Sequence, residues 1–167
     1  MRAFAAFAFL IVFLCACKPG LFPILPTDAY QIVIQGAPPL EALDAVTDWA
    51  AHVPVTFTFV AAPGLSNCSN CVYVTLSTSA ASEAACFGAK AESGCTIALP
   101  LLSNSSAVWI ARDVAPSVQA WAWRHELGHA MGLFHDVPGT VMRFSHLDAS
   151  PTVTPRDARQ WLSARGR

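Results

Sequence analysis

The chain has 167 residues, 54% of them hydrophobic and 13% charged, with a mean hydropathy of +0.44 and a formal net charge of −1 at pH 7. So much apolar material with so little net charge excludes a disordered chain. Ten Lys and Arg against eleven Asp and Glu leave no basic stripe for a nucleic acid partner, and the length is that of one domain.

Fifteen of the sixteen residues from Met1 to Ala16 are hydrophobic, Arg2 being the exception. Without them the hydrophobic share falls to about half, an ordinary globular value. Arg2 followed by the apolar run Ala3 to Leu14 reads as the charged and hydrophobic regions of a signal peptide, residues 1–16, too short to span a bilayer. The run ends in Leu14-Cys15-Ala16-Cys17, which resembles a bacterial lipobox. That resemblance implies acylation of Cys17 and an exported protein attached to a membrane, with the outer membrane favoured because Lys18 is not the Asp that retains such proteins at the inner one. An ordinary secretory signal cut after Ala16 stays open. Residues 17–28, with Pro19, Gly20, Pro23 and Pro26, read as a tether ahead of a domain over 29–167.

In chain order, Tyr30 to Gln35 predicts a short strand. Pro38-Pro39 opens a helix in which Leu40, Leu43, Val46, Thr47 and Ala50 recur at helical spacing until Pro54. Val55 to Ala61 predicts a strand with Val55, Phe57 and Phe59 on one face, and Val72 to Leu76 another. Ser77 to Gly94 is small and polar and reads as a loop. Thr96 to Leu99 and Ala107 to Arg112 complete five strands. A helix follows from Pro116-Ser117 to Met131, with Ser117 as N-cap, and a last one from Thr154 to Ala164, with Thr154 as N-cap and Pro155 at its first position.

Beyond Cys15 and Cys17 the cysteines number four, Cys68, Cys71, Cys86 and Cys95. An even number in an oxidising compartment predicts two disulfides in one of three connectivities. Cys86 with Cys95 would close a short loop. Cys68-Ser69-Asn70-Cys71 could also be half of a zinc site or a redox pair, but no second CxxC exists to complete a zinc ribbon.

The chemistry is concentrated in His125-Glu126-Leu127-Gly128-His129-Ala130-Met131-Gly132-Leu133-Phe134-His135-Asp136. Histidines four apart on a helix share one face about a turn from each other, where two imidazoles can hold one metal ion. Gly132 can take the positive φ that ends the helix and swings His135 round as a third ligand. Three histidines with an open fourth position describe a catalytic zinc site rather than a closed structural one.

The extended pattern HExxHxxGxxH, followed by Gly139-Thr140-Val141-Met142, resembles the metzincin zinc peptidases and their Met-turn. Gly128 and Leu133 within it look most like matrixins, while Asp136 is similar to the adamalysin pattern. The resemblance implies an α+β, zincin-type fold: a five-stranded, mostly parallel, twisted sheet with an early helix, an active-site helix, and a small C-terminal subdomain holding the Met-turn and a terminal helix. It implies that Thr96 to Leu99 is an antiparallel edge strand, with Ile97, Ala98 and Leu99 offering main-chain hydrogen bonds to an extended peptide. It also implies that Met142 packs beneath the metal without ligating it. Phe144 stands where astacin-like members carry a Tyr, which excludes a tyrosine-assisted mechanism. No cysteine-switch prodomain is visible, and calcium is unsupported because Glu83, Glu92 and Asp113 are the only carboxylates between Ala51 and Asp113.

The function expected is zinc-dependent endopeptidase activity on extracytoplasmic proteins by a monomer. One Zn2+ on His125, His129 and His135 would activate water and Glu126 would act as general base. A catalytically idle zinc-binding lipoprotein serving as a scaffold is the competing expectation. Asp136 is read either as a support of the ligand loop or as a solvated surface group, and His52 and His146 as surface residues. Trp109, Trp121, Trp123 and Phe134 read as core in preference to pocket lining.

Overall fold

The computed structural model describes residues 27–61, 68–85, 93–99 and 104–166. The signal segment, most of the tether, Cys17 and Cys86 lie outside them. Among the described residues the chain is α+β, with the elements β1 (Ala29–Ile34), α1 (Leu40–His52), β2 (Thr56–Ala61), β3 (Cys71–Ser77), α2 (Ser79–Ala85), β4 (Gly94–Leu99), β5 (Ser105–Ala111), α3 (Pro116–Ala130), a 3-10 turn (His146–Asp148) and α4 (Pro155–Ala164). No described helix is long and apolar enough to cross a membrane.

The five strands form one sheet in the order β2-β1-β3-β5-β4. All pairings are parallel except that of β4 with β5, so the antiparallel strand lies at an edge. β1 lies between β2 and β3, and its Tyr30, Ile32, Val33 and Ile34 are all buried. A parallel strand covered on both faces needs such a continuous apolar run. Beside it Tyr30 and Phe57, paired in register, stack with ring centroids 5.9 Å apart.

α3 has Trp121, Ala122, Trp123, Leu127, Gly128 and Ala130 buried together with His125 and Glu126. A helix that buries residues on most of its sides is enclosed rather than laid on a surface. α1 is tied to it by Trp49, whose indole Nε1 donates to the Arg124 carbonyl at 2.9 Å. α4 closes the C-terminal part with buried Asp157, Ala158 and Trp161. At its end Arg165 pairs with Asp28 next to β1.

Four expectations are corrected. The buried face of α1 is Ala42, Ala45 and Trp49, while Leu40 and Leu43 are exposed. One large indole with two small alanines lets α1 lie close to α3, so side-chain size decides which face turns inward. The segment expected as a loop contains α2, whose alanines favour helix. Its first turn is supported by Asp113, which accepts the Ser79 N–H at 2.6 Å, and by Thr78 Oγ1, which accepts the Ala81 N–H at 3.2 Å. α3 begins at Pro116 with Ala115 at the N-cap and no side-chain cap, so Ser117 lies inside the first turn. Trp121 and Trp123 are buried, but Trp109 is half-buried and Phe134 exposed. Phe134 belongs to the loop after α3 and has no helical face to share. The α4 expectation holds: Thr154 caps it, Pro155 opens it, and Asp157 completes a capping box.

Candidate metal centre

His125 and His129 project from one face of α3 with their Nε2 atoms 3.0 Å apart. The helix stops where Gly132 takes φ +89°. Leu133 N–H donates to Gly128 O at 3.0 Å and Gly132 N–H to His129 O at 2.9 Å, the paired bonds of a Schellman ending. The reversed chain brings His135 Nε2 to 3.3 Å from His125 Nε2 and 3.2 Å from His129 Nε2.

The Nδ1 atoms explain why the Nε2 atoms face inward. His125 Nδ1 lies 2.9 Å from the Val141 carbonyl and His129 Nδ1 2.8 Å from the Leu133 carbonyl, so each donates there and leaves an Nε2 lone pair for the centre. Burial holds the His125 imidazole well below the usual range, reinforced by neighbouring His129. Burial, with His135 nearby, holds His129 down to about 4, and burial lowers His135 as well. Three imidazoles held toward the neutral form, with their Nε2 atoms this close, could hold a metal ion. Zn–N bonds of about 2.0–2.1 Å imply tetrahedral edges of about 3.3 Å, the size of this triangle. No other set of three His, Cys, Asp or Glu side chains among the described residues comes as close together.

Glu126, next to the first histidine, is 4% exposed. Thr96 on β4 places its hydroxyl 2.7 Å from Glu126 Oε2 and 3.0 Å from the Glu126 carbonyl oxygen. Burial pushes the carboxyl up to about 8, partly offset by the Thr96 hydrogen bond. Gly94, two residues earlier on the same strand, permits the approach. A Cβ there would stand 2.7 Å from Trp109 O and 3.1 Å from Glu126 Cγ.

Met142 is fully buried under α3, where a Cβ on Gly128 would lie 2.2 Å from its Sδ. The turn that carries Met142 is fixed by Asp157, whose carboxylate accepts the Val141 N–H at 3.2 Å and the Met142 N–H at 3.3 Å. The Val141 carbonyl that holds His125 also accepts the Trp121 indole N–H at 3.0 Å. Phe144 sets its ring edge-on to His135, with centroids 5.1 Å apart. Asp136 is engaged: Arg156 donates to it at 2.8 and 3.1 Å, which holds its carboxyl below the usual carboxylate range. His52 and His146 are exposed, although the His146 ring lies 5.9 Å from that of Trp121.

Elsewhere, Cys68 and Cys71 form a disulfide with Cα atoms 5.7 Å apart, and Cys95 is disulfide-bonded too. Ile97, Ala98 and Leu99 pair with Ala107, Ser106 and Ser105 on the inner side of the edge strand. Two site residues carry no local signal in the sequence. Thr96 precedes Glu126 by thirty positions and reaches it only through the packing of β4 on α3. Asp157 lies in the first turn of α4, and its grip on the Met142 turn is tertiary. No known protein family and no curated protein matches the sequence.

Proposed function

We propose that this chain is a zinc-dependent endopeptidase of the metzincin type, exported and attached through Cys17, acting on peptide bonds of extracytoplasmic proteins. The reading is carried by one observation: three imidazole Nε2 atoms converge, two from α3 and one from the loop after it, and the residue that follows the first of them, Glu126, is a buried carboxylate. A structural zinc site is closed by a fourth protein ligand, and among the described residues none joins this cluster. A scaffold that kept zinc for stability alone would have no use for Glu126, since a buried carboxylate costs stability.

His125, His129 and His135 would hold the ion. Zinc supplies Lewis acidity, which polarises a scissile carbonyl and acidifies water. Glu126 takes the proton of the attacking water on a carboxylate oxygen and passes it to the departing amine nitrogen. Thr96 serves both states of that base: its hydroxyl donates to Oε2 when the carboxylate is charged, and to the Glu126 carbonyl when Oε2 carries a proton. β4 lies at the sheet edge, and its outer side at Ile97, Ala98 and Leu99 would take an extended peptide as a further strand.

The test compares wild type with Glu126→Ala. Both should retain one zinc per chain, while the variant loses cleavage of unfolded casein by roughly 10²–10⁴-fold, the range for a general base. Equal cleavage by the two proteins, or no zinc in wild type, overturns the proposal.

A further inference from the structure

Two of the three imidazoles are fixed by α3 and by carbonyls bonded to their Nδ1 atoms. The third is held differently. His135 is exposed, lies on non-helical chain and has the Phe144 ring against it, so its place depends on the backbone on either side.

Both sides of that backbone are held by α4. Before His135, the Phe134 carbonyl accepts Gln160 Nε2 at 3.1 Å. After it, the Asp136 carboxylate accepts the two-pronged Arg156 guanidinium at 2.8 and 3.1 Å. Arg156 and Gln160 are four apart and share one face of the helix. The Asp136 carboxylate also accepts the Val137 N–H at 2.8 Å, and the Asp136 N–H donates to Met142 O at 2.9 Å, which joins the loop to the turn Asp157 holds.

We infer that Arg156 and Gln160 are positioning residues for His135, and that α4 thereby sets the metal affinity of the three-imidazole site from outside it. The inference rests on reading the histidines as a metal site. The Arg156 side chain is 54% exposed, so its ion pair is worth little to folding by itself. Its effect is on the loop. A third ligand on a held loop is present at high effective concentration beside the first two, and one on a loose loop is not.

The experiment is competition for zinc between the full chain and a chromophoric chelator. Arg156→Ala should weaken zinc binding roughly tenfold and Arg156→Ala/Gln160→Ala toward a hundredfold, the range for residues that orient metal ligands. Arg156→Lys, which keeps the charge but loses the fork, should fall between wild type and Arg156→Ala. In a His135→Ala background Arg156→Ala should make no further difference, whereas a general loss of folding would weaken both backgrounds alike. Unchanged affinity in the double variant, or equal losses with and without His135, overturns the inference. A wild type that takes no zinc overturns it together with the metal reading, so the two failures are distinguishable.

Discussion

At the scale of single residues, the contact between Gly128 and Met142 shows how little room the site has. Ala at 128 would gain up to about 1 kcal/mol in helix propensity. Its Cβ would also fall 2.2 Å from Met142 Sδ and 3.1 Å from Trp49 Cζ2 in a fully buried layer. Overpacking costs about 1–3 kcal/mol, so Gly128→Ala should be net destabilising by up to about 2 kcal/mol, measured as a lower midpoint in urea with unchanged slope. The histidine positions were legible in the sequence because the helical repeat and the glycine turn that bring the three together are local, although what holds His135 in place is not. Thr96 was not, since a hydroxyl on a strand gains a role only when tertiary packing brings a carboxylate to it.

Elements differ in legibility for similar reasons. α4 announces itself through Thr154 and Pro155 and forms where those residues predict, with Asp157 completing a capping box in its first turn. α2 depends in part on Asp113, far along the chain, and its small residues resemble a loop when read alone. For α1 the spacing of Leu40 and Leu43 pointed to the wrong face, because periodicity counts apolar residues and packing counts volume. Asp157 links α4 to the rest by accepting the N–H groups of Val141, Met142 and Thr154 and the Thr154 hydroxyl. Asp157→Ala would strand buried donors at about 1–3 kcal/mol each, whereas Thr154→Ala removes a cap worth about 1 kcal/mol. Asp157→Ala should therefore lower thermal stability several-fold more than Thr154→Ala, a difference that calorimetry of the two variants would reveal.

For the whole molecule, a mostly parallel five-stranded sheet with Thr96 to Leu99 at an antiparallel edge was expected, but the strand order was not legible, because nothing local says that β1 lies between β2 and β3. Early and late parts of the described chain meet beside β1, where Asp28 pairs with Arg165 and the Tyr30 phenol oxygen accepts the Thr27 N–H at 3.0 Å. Burial pushes the Tyr30 phenol up to about 12 from 10.0, outweighing that hydrogen bond. A raised folded-state value means the neutral phenol stabilises the fold fully below pH 10, and that this contribution is lost as pH climbs from about 10 to about 12. The two-unit difference corresponds to about 2–3 kcal/mol, a sizeable part of a domain's total stability. Tyr30→Phe should flatten this part of the alkaline stability curve, as read by urea unfolding across that window. An unchanged slope would mean that other groups govern alkaline unfolding.

The three imidazoles fall within eleven residues of one another along the chain, from His125 to His135. A denatured chain therefore keeps all three within reach of a single ion, two of them one nascent helical turn apart. An ion held by these histidines would bind the unfolded ensemble as well as the native one, and its stabilising effect is set by the ratio of the two affinities rather than by the native affinity alone. Folding would sharpen such a site rather than create it, by adding the Val141 carbonyl, the Thr96 hydroxyl and the side chains of α4 from outside that short stretch.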